Sequence, residues 1–225
     1  MKRLKKQKLD NKGSALLTVI VVVAFITILA TTMLYITSMN VQMKQTDYQN
    51  KQSFYKAEEA LDALKAELAT EMSVALEHAY QEVMIQYANL GADERQAVFR
   101  AAFLDKLNEN WSKLVNDAGC DMTVALQNLV PEYQKNFVFP IVSDGENAPS
   151  YFVDTEKARF ILKNVRVRYA EDGYSSFICT DIVLCVPKLK LEHDQSSGLG
   201  VDEEIPAREK IELADYIIYG NWSKY

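Results

Sequence analysis

Histidine and cysteine are scarce in this chain: 225 residues hold 2 His and 3 Cys. There is no C-x-x-C pair and no H-E-x-x-H motif, so a structural zinc framework or a disulfide scaffold lacks its raw material. Glycine (8) and proline (5) are too few for collagen-like or linker-like sequence. Basic residues are also in deficit, 25 Lys+Arg against 31 Asp+Glu, a formal charge of -6. That balance argues against a nucleic-acid binder relying on a broadly basic surface. A hydrophobic content of 48% excludes a disordered chain. A mean hydropathy of -0.15 excludes a multi-span membrane protein. The length allows one medium domain plus an attachment, or two small units.

What is present is unevenly placed. Residues 1–13 carry Lys2, Arg3, Lys5, Lys6, Lys8 and Lys12 against Asp10 alone, a local charge of +5. The remaining 19 basic and 30 acidic residues leave the rest of the chain at -11. Positions 13–43 then contain no charged residue, and Ala15 to Ile36 is almost unbroken apolar sequence. As a helix those residues would measure roughly 33 Å, which matches a bilayer hydrocarbon core of about 30 Å. The lysines before it place that end in the cytoplasm and the rest of the chain outside. A cleaved secretory signal would have a shorter apolar region followed by a small-residue cleavage site. Here polar helical sequence follows instead, and an unprocessed signal anchor is the plain reading.

The junction Asn11-Lys12-Gly13-Ser14-Ala15-Leu16-Leu17 supports a sharper one. A basic leader ends in glycine immediately before the apolar run. Further on, Phe54-Tyr55-Lys56-Ala57-Glu58-Glu59-Ala60-Leu61 resembles the F-x-x-A-E-A-x-L signature of PilX-type minor pilins. Over about residues 11–68 the chain is similar to type IV pilin-like proteins, including the minor pseudopilins of type II secretion. The resemblance implies cleavage by prepilin peptidase between Gly13 and Ser14, with Ser14 as the new and N-methylated terminus. It also implies an assembly helix presenting Leu16, Leu17, Val19, Ile20, Phe25 and Ile28 to other subunits, and a signature formed by Phe54, Ala57, Glu58 and Leu61. The implied partners are other pilin or pseudopilin subunits, the peptidase and a membrane assembly platform.

One position departs from the family's major subunits. They carry a glutamate at the fifth mature residue, where it neutralises a neighbour's terminal amine; here that position is Thr18. An ammonium buried without a carboxylate is costly in a low-dielectric bundle. A subunit used once, at an initiating or tip position, escapes that cost, so Thr18 points to a minor rather than a major subunit.

Residues 14–90 contain neither Gly nor Pro. Beyond the apolar run, Leu61, Leu64, Leu68, Met72, Ala75, Ala79 and Val83 recur at the spacing of one amphipathic helical stripe. The helix is therefore expected to continue outward, with a bend or break between Ala69 and Ser73 and a stop at Gly91; a coiled-coil stalk is the bland alternative. A second helix is expected from Ala92 to near Gly119, and a short one from Met122 to Leu129, before Pro131. Then the period changes to two. Phe137–Val142 reads as an edge strand, Phe160–Tyr169 and Tyr174–Val186 as a hairpin around Glu171-Asp172-Gly173, and Ile211–Tyr219 as a terminal strand. Ile178, Thr180, Ile182, Leu184 and Val186 share one face, assigned to the core. Residues 193–209 read as a polar acidic loop. The expected organisation is a leader over 1–13, a transmembrane and assembly helix over 14–38, its amphipathic continuation over 39–90, and an extracytoplasmic head over 91–225. The fold class is α+β, a long N-terminal helix packed on a head with further helices and an antiparallel sheet.

The residues that could carry chemistry are sparse. Cys179 and Cys185 sit six residues apart on one expected strand, about 20 Å when extended, so neither can reach the other. A disulfide would join Cys120 to Cys179 or to Cys185, and reduced, buried cysteine is the default. His78 and His193 have no third ligand at a metal-like spacing, and Gly198-Leu199-Gly200 lacks the helix and lysine of a phosphate cradle. Asp144-Gly145-Glu146-Asn147 and Asp202-Glu203-Glu204 lack an EF-hand spacing. Asn110-Trp111-Ser112 and Asn221-Trp222-Ser223 are formal glycosylation sequons. No Ser/His/Asp or Cys/His arrangement stands out. The expectation is a structural subunit without cofactor, metal or catalytic residues. Its destination would be the cell membrane and then a surface filament. A local basic face around Arg159, Lys163, Arg166 and Arg168 stands against the acidic balance of the whole.

Overall fold

A computed structural model describes residues 11–137, 148–171, 173–189, 191–194, 203–206 and 211–224. The expected leader residues 1–10, the Asp144–Asn147 and Gly198–Gly200 segments, and most of the expected strand Phe137–Val142 lie outside them. The chain divides into two units, residues 1–49 and 50–225. Helix α1 (Asn11–Gln86) enters both.

Among the described residues nothing covers α1 in the first unit. Its large apolar side chains between Leu16 and Met43 are 45% to 70% exposed. Threonine is a modest helix former because its hydroxyl competes for backbone groups. Here that competition is resolved within the helix: Thr27 donates to the Val23 carbonyl at 2.7 Å, Thr32 to Ile28 at 2.7 Å and Thr37 to Met33 at 2.8 Å.

In the second unit α1 buries one stripe, Ser53, Ala57, Ala60, Leu61, Leu64, Leu68, Met72, Ala75, Ala79 and Val83. No break occurs between Ala69 and Ser73, contrary to expectation. Thr70 bonds back to the Ala66 carbonyl at 3.2 Å and Ser73 to Thr70 at 2.8 Å, so the polar residues there are absorbed by the helix. The buried stripe continues on both sides of them. Gly91 does not stop α1 either. The helix gives way to a 3-10 turn at Tyr87–Asn89, and Leu90 is extended. Gly91 is instead the N-cap of α2 (Ala92–Asp117), its N–H bonded to Glu94 at 2.8 Å. Arg95 fastens this corner, its guanidinium 3.6 Å from the Tyr87 ring centre and its Nε 3.0 Å from the Leu90 carbonyl. Helix α3 (Met122–Leu129) begins on Asp121, whose carboxylate accepts from the Thr123 and Val124 N–H groups.

The sheet is antiparallel in the order β1-β2-β3-β6: β1 (Ser150–Asp154), β2 (Arg159–Glu171), β3 (Tyr174–Cys185) and β6 (Ile217–Lys224). Strand β1 is new relative to the sequence reading. The β2–β3 hairpin turns where expected, with Glu171 opposite Tyr174 and Gly173 at φ +82°. Of the five residues assigned to the core face of β3, Ile178, Thr180, Ile182 and Leu184 are buried, and Val186 is half-buried beyond the strand's end. The acidic stretch is not all loop: β4 (Leu191–Asp194) pairs with β5 (Glu203–Pro206). The terminal strand starts later than expected, because Leu213–Tyr216 forms a 3-10 turn before β6. From the expected edge strand, Phe137 bridges Val167.

Helices α1, α2 and α3 and the inner face of the sheet share one core. Trp111 of α2 packs edge-on against Phe160 of β2 (5.9 Å) and Tyr151 of β1 (6.2 Å). Tyr80 of α1 meets Phe99 of α2 at 5.2 Å. Each fully buried leucine or phenylalanine contributes roughly 1.5–3 kcal/mol by its removal from water.

Candidate assembly helix and signature face

Gly13 and Ser14 lie near the start of α1, which begins at Asn11. Leu16, Leu17, Val19, Ile20, Phe25 and Ile28 follow, all well exposed, and Thr18 sits among them on the same exposed helix. Among the described residues this is the one helix long and apolar enough to cross a membrane, and none of its most apolar window is buried. By length and composition it is a candidate membrane span. A helix apolar on every side suits either lipid or a bundle of similar helices, since both leave its side chains out of water. The threonines fit both settings because their hydroxyls already have acceptors on their own helix.

The signature residues lie in the second unit and serve the head. Ala57 and Leu61 are fully buried, while Phe54 and Glu58 are partly exposed beside them. Two hydrogen bonds tie this stretch of α1 to the sheet through helix carbonyls. Tyr219 of β6 donates its hydroxyl to the Leu61 carbonyl at 3.0 Å, and Ser176 of β3 donates to the Asn50 carbonyl at 3.3 Å. Burial holds the Tyr219 phenol well above the ordinary tyrosine range, with the charges of Asp62 and Glu58 adding to the effect.

The sequence reading missed a polar cluster on the outer side of the signature. Glu59 accepts from Lys56 at 2.7 Å and from the Tyr133 hydroxyl at 2.8 Å. The Lys56 hydrogen bond, then that of Tyr133, lowers the Glu59 carboxyl; the same contacts raise the Lys56 ammonium and the Tyr133 phenol. Tyr133 lies 74 residues from Glu59, so no local pattern could have revealed the pair. A cavity of about 420 Å³, lined by Glu71, Leu107, Asn110, Trp111, Lys113 and Asn128, opens between α1 and the following helices. Its Asn110 amide donates to Glu71 at 3.2 Å, so part of its polar lining is already satisfied internally.

The cysteines form no bond: Cys120, Cys179 and Cys185 are all free thiols. The possible bridge from Cys120 is not formed and the thiols are reduced, as the default reading had it, but Cys120 is not buried: it is exposed after α2 at φ +65°. Cys179 and Cys185 occupy the half-buried positions of β3 that alternate with its core residues. His78 of α1 lies 4.0 Å from Glu82 on the same helix. Among the described residues no three His, Cys, Asp or Glu gather as metal ligands. No family model, curated protein or solved structure matches the chain.

Proposed function

We propose that the chain is a minor pilin-like subunit of a type IV pilus or a related pseudopilus. It enters the membrane with residues 1–13 in the cytoplasm and its head outside, and prepilin peptidase trims it between Gly13 and Ser14. The subunit is then drawn into a filament by packing residues 15–36 against the equivalent helices of neighbours, through contacts with the assembly platform. The observation behind this reading is the order of features along the chain: a basic stretch ending at Gly13, then an uncharged apolar run and the stretch Phe54–Leu61, the last two both carried by α1. Exchange of lipid for neighbouring helices leaves the same apolar surface out of water, so extraction carries no large hydrophobic cost. Thr18 in place of a glutamate favours an initiating or tip position, and the head needs no catalytic group for such a role.

Co-expression with a prepilin peptidase should shorten the chain by the 13 residues before Ser14, and Gly13→Ala should prevent it. Intact-mass measurement of the native protein decides the matter. Retention of residues 1–13 would leave an unprocessed, signal-anchored binding protein as the correct description.

A further inference from the structure

Strand β2 carries four cations, Arg159, Lys163, Arg166 and Arg168. Simple alternation would put the first two on one face of the sheet and the last two on the other. A bulge prevents this. Leu162 pairs with Ile182 and Val165 with Thr180, so β2 has one more residue than β3 between these pairs. Asn164 takes up the extra residue at φ +56°, and its N–H is held by the Asp181 carboxylate at 2.9 Å. Burial records the change of phase: Phe160 and Leu162 are buried before the bulge, Val165 and Val167 after it. All four cations consequently stand on the sheet face opposite the helices. The outward positions follow one another about 7 Å apart along the strand.

None of the four is in an ion pair among the described residues, and the Arg166 Nε has no acceptor. Asp154 faces Arg159 across β1 but accepts from the Lys157 N–H. Both oxygens of Asp181 are engaged, by Asn164 and by the Asn221 amide. An aromatic ring flanks the column: Phe152 of β1, 40% exposed, lies 5.1 Å below the Lys163 ammonium. A line of cations beside an exposed ring on one sheet face suits an extended polyanion with flat, stackable groups.

We propose that this face binds single-stranded nucleic acid, the cations following the phosphates and Phe152 stacking a base. The acidic net charge argues against a duplex binder with a broad basic surface, and a single row of cations suits one strand rather than two. The inference is independent of leader processing.

The test uses the full chain in non-ionic detergent and the polarisation of a fluorescent oligothymidylate. With four phosphate contacts, the log–log salt slope should be about -2.8, an affinity loss of about 50-fold between about 50 and 200 mM salt. Arg166→Gln with Arg168→Gln should halve that slope to about -1.4 while leaving the melting temperature unchanged, since neither residue belongs to the core. Phe152→Ala should weaken binding about fivefold or more at an unchanged slope. The proposal is overturned if no salt-dependent binding occurs, or if the double variant binds as the parent does. It is equally overturned if polyglutamate competes as well as unlabelled oligothymidylate, which would mark the face as a docking surface for acidic proteins.

Discussion

Tyr219 and Glu59 place opposite demands on pH. The phenol of Tyr219 is raised in the folded protein by burial and by Asp62 and Glu58, so folding favours its neutral form. Its contribution is fully present below the unfolded phenol value near 10 and is lost as pH climbs beyond it. Tyr219→Phe should remove part of the alkaline dependence of unfolding. It should also cost about 0.5–1.5 kcal/mol at neutral pH through the missing bond to Leu61, as denaturant titration would reveal. Glu59 works the other way. Its carboxyl is lowered by Lys56 and then by Tyr133, so its effect is present above the unfolded carboxylate value and fades as pH falls through the folded one. Since the group lies at the solvent-exposed surface, Glu59→Gln should flatten the acid limb of a stability profile with little change at neutral pH.

At the scale of elements, Asp181 is the most consequential single side chain in the sheet. Strand β2 bulges opposite it at Asn164, and β6 bulges one residue away, opposite Thr180, where Asn221 also adopts positive φ. The carboxylate bonds the Asn164 N–H on one side and the Asn221 amide on the other. Asp181→Ala should therefore destabilise the sheet by about 2 kcal/mol, as two hydrogen bonds to a charged group are lost from a partly exposed site. Exchange protection should fall in β2 and β6 more than in α2, which hydrogen-exchange mass spectrometry can resolve.

These bulges also mark where the sequence stopped being legible. Helices α2 and α3 could be read almost to the residue, since Gly119 and Pro131 are local stop signals and the 3.6 periodicity is strong. The Asp-Gly turn between β2 and β3 was equally plain. By contrast, the β1 segment Ser150-Tyr151-Phe152-Val153-Asp154 is short and gains its strand identity only from pairing with β2. Gly91 was visible as a boundary, but whether a glycine ends one helix or caps the next depends on the direction in which the chain leaves. The bend expected near Ala69 rested on how much helix a head could cover, and three-dimensional packing extended that cover to Val83.

For the whole molecule, the division after Gln49 has a direct consequence. The buried stripe of α1 starts at Ser53, and the core it joins is drawn from residues in the second unit. A chain beginning at Asn50 should remain folded without detergent, with a circular-dichroism melting transition close to that of the full protein. Within it, Leu64→Ala should cost about 2–5 kcal/mol, because a fully buried leucine leaves a cavity between helix and sheet. Proposed assembly and proposed nucleic-acid contact thus fall in different units and can be impaired separately. Gly13→Ala should stop trimming without touching oligonucleotide binding, and the paired arginine substitutions should do the reverse.

The extra residue at Asn164 gives β2 a tolerance of length that its composition conceals. Deleting that asparagine alone would alter no charge and no apolar side chain. It would also restore plain alternation without exchanging the faces: with Lys163 outward, Val165 and Val167 would still point in and Arg166 and Arg168 out, and the chief loss would be the bond from the Asn164 N–H to Asp181. A chain one residue shorter at this point would be nearly the same polymer with both faces of the strand intact, so relatives of this protein should be free to carry or lack the bulge, whereas loss of any other single residue between Phe160 and Val167 would have to be absorbed by it.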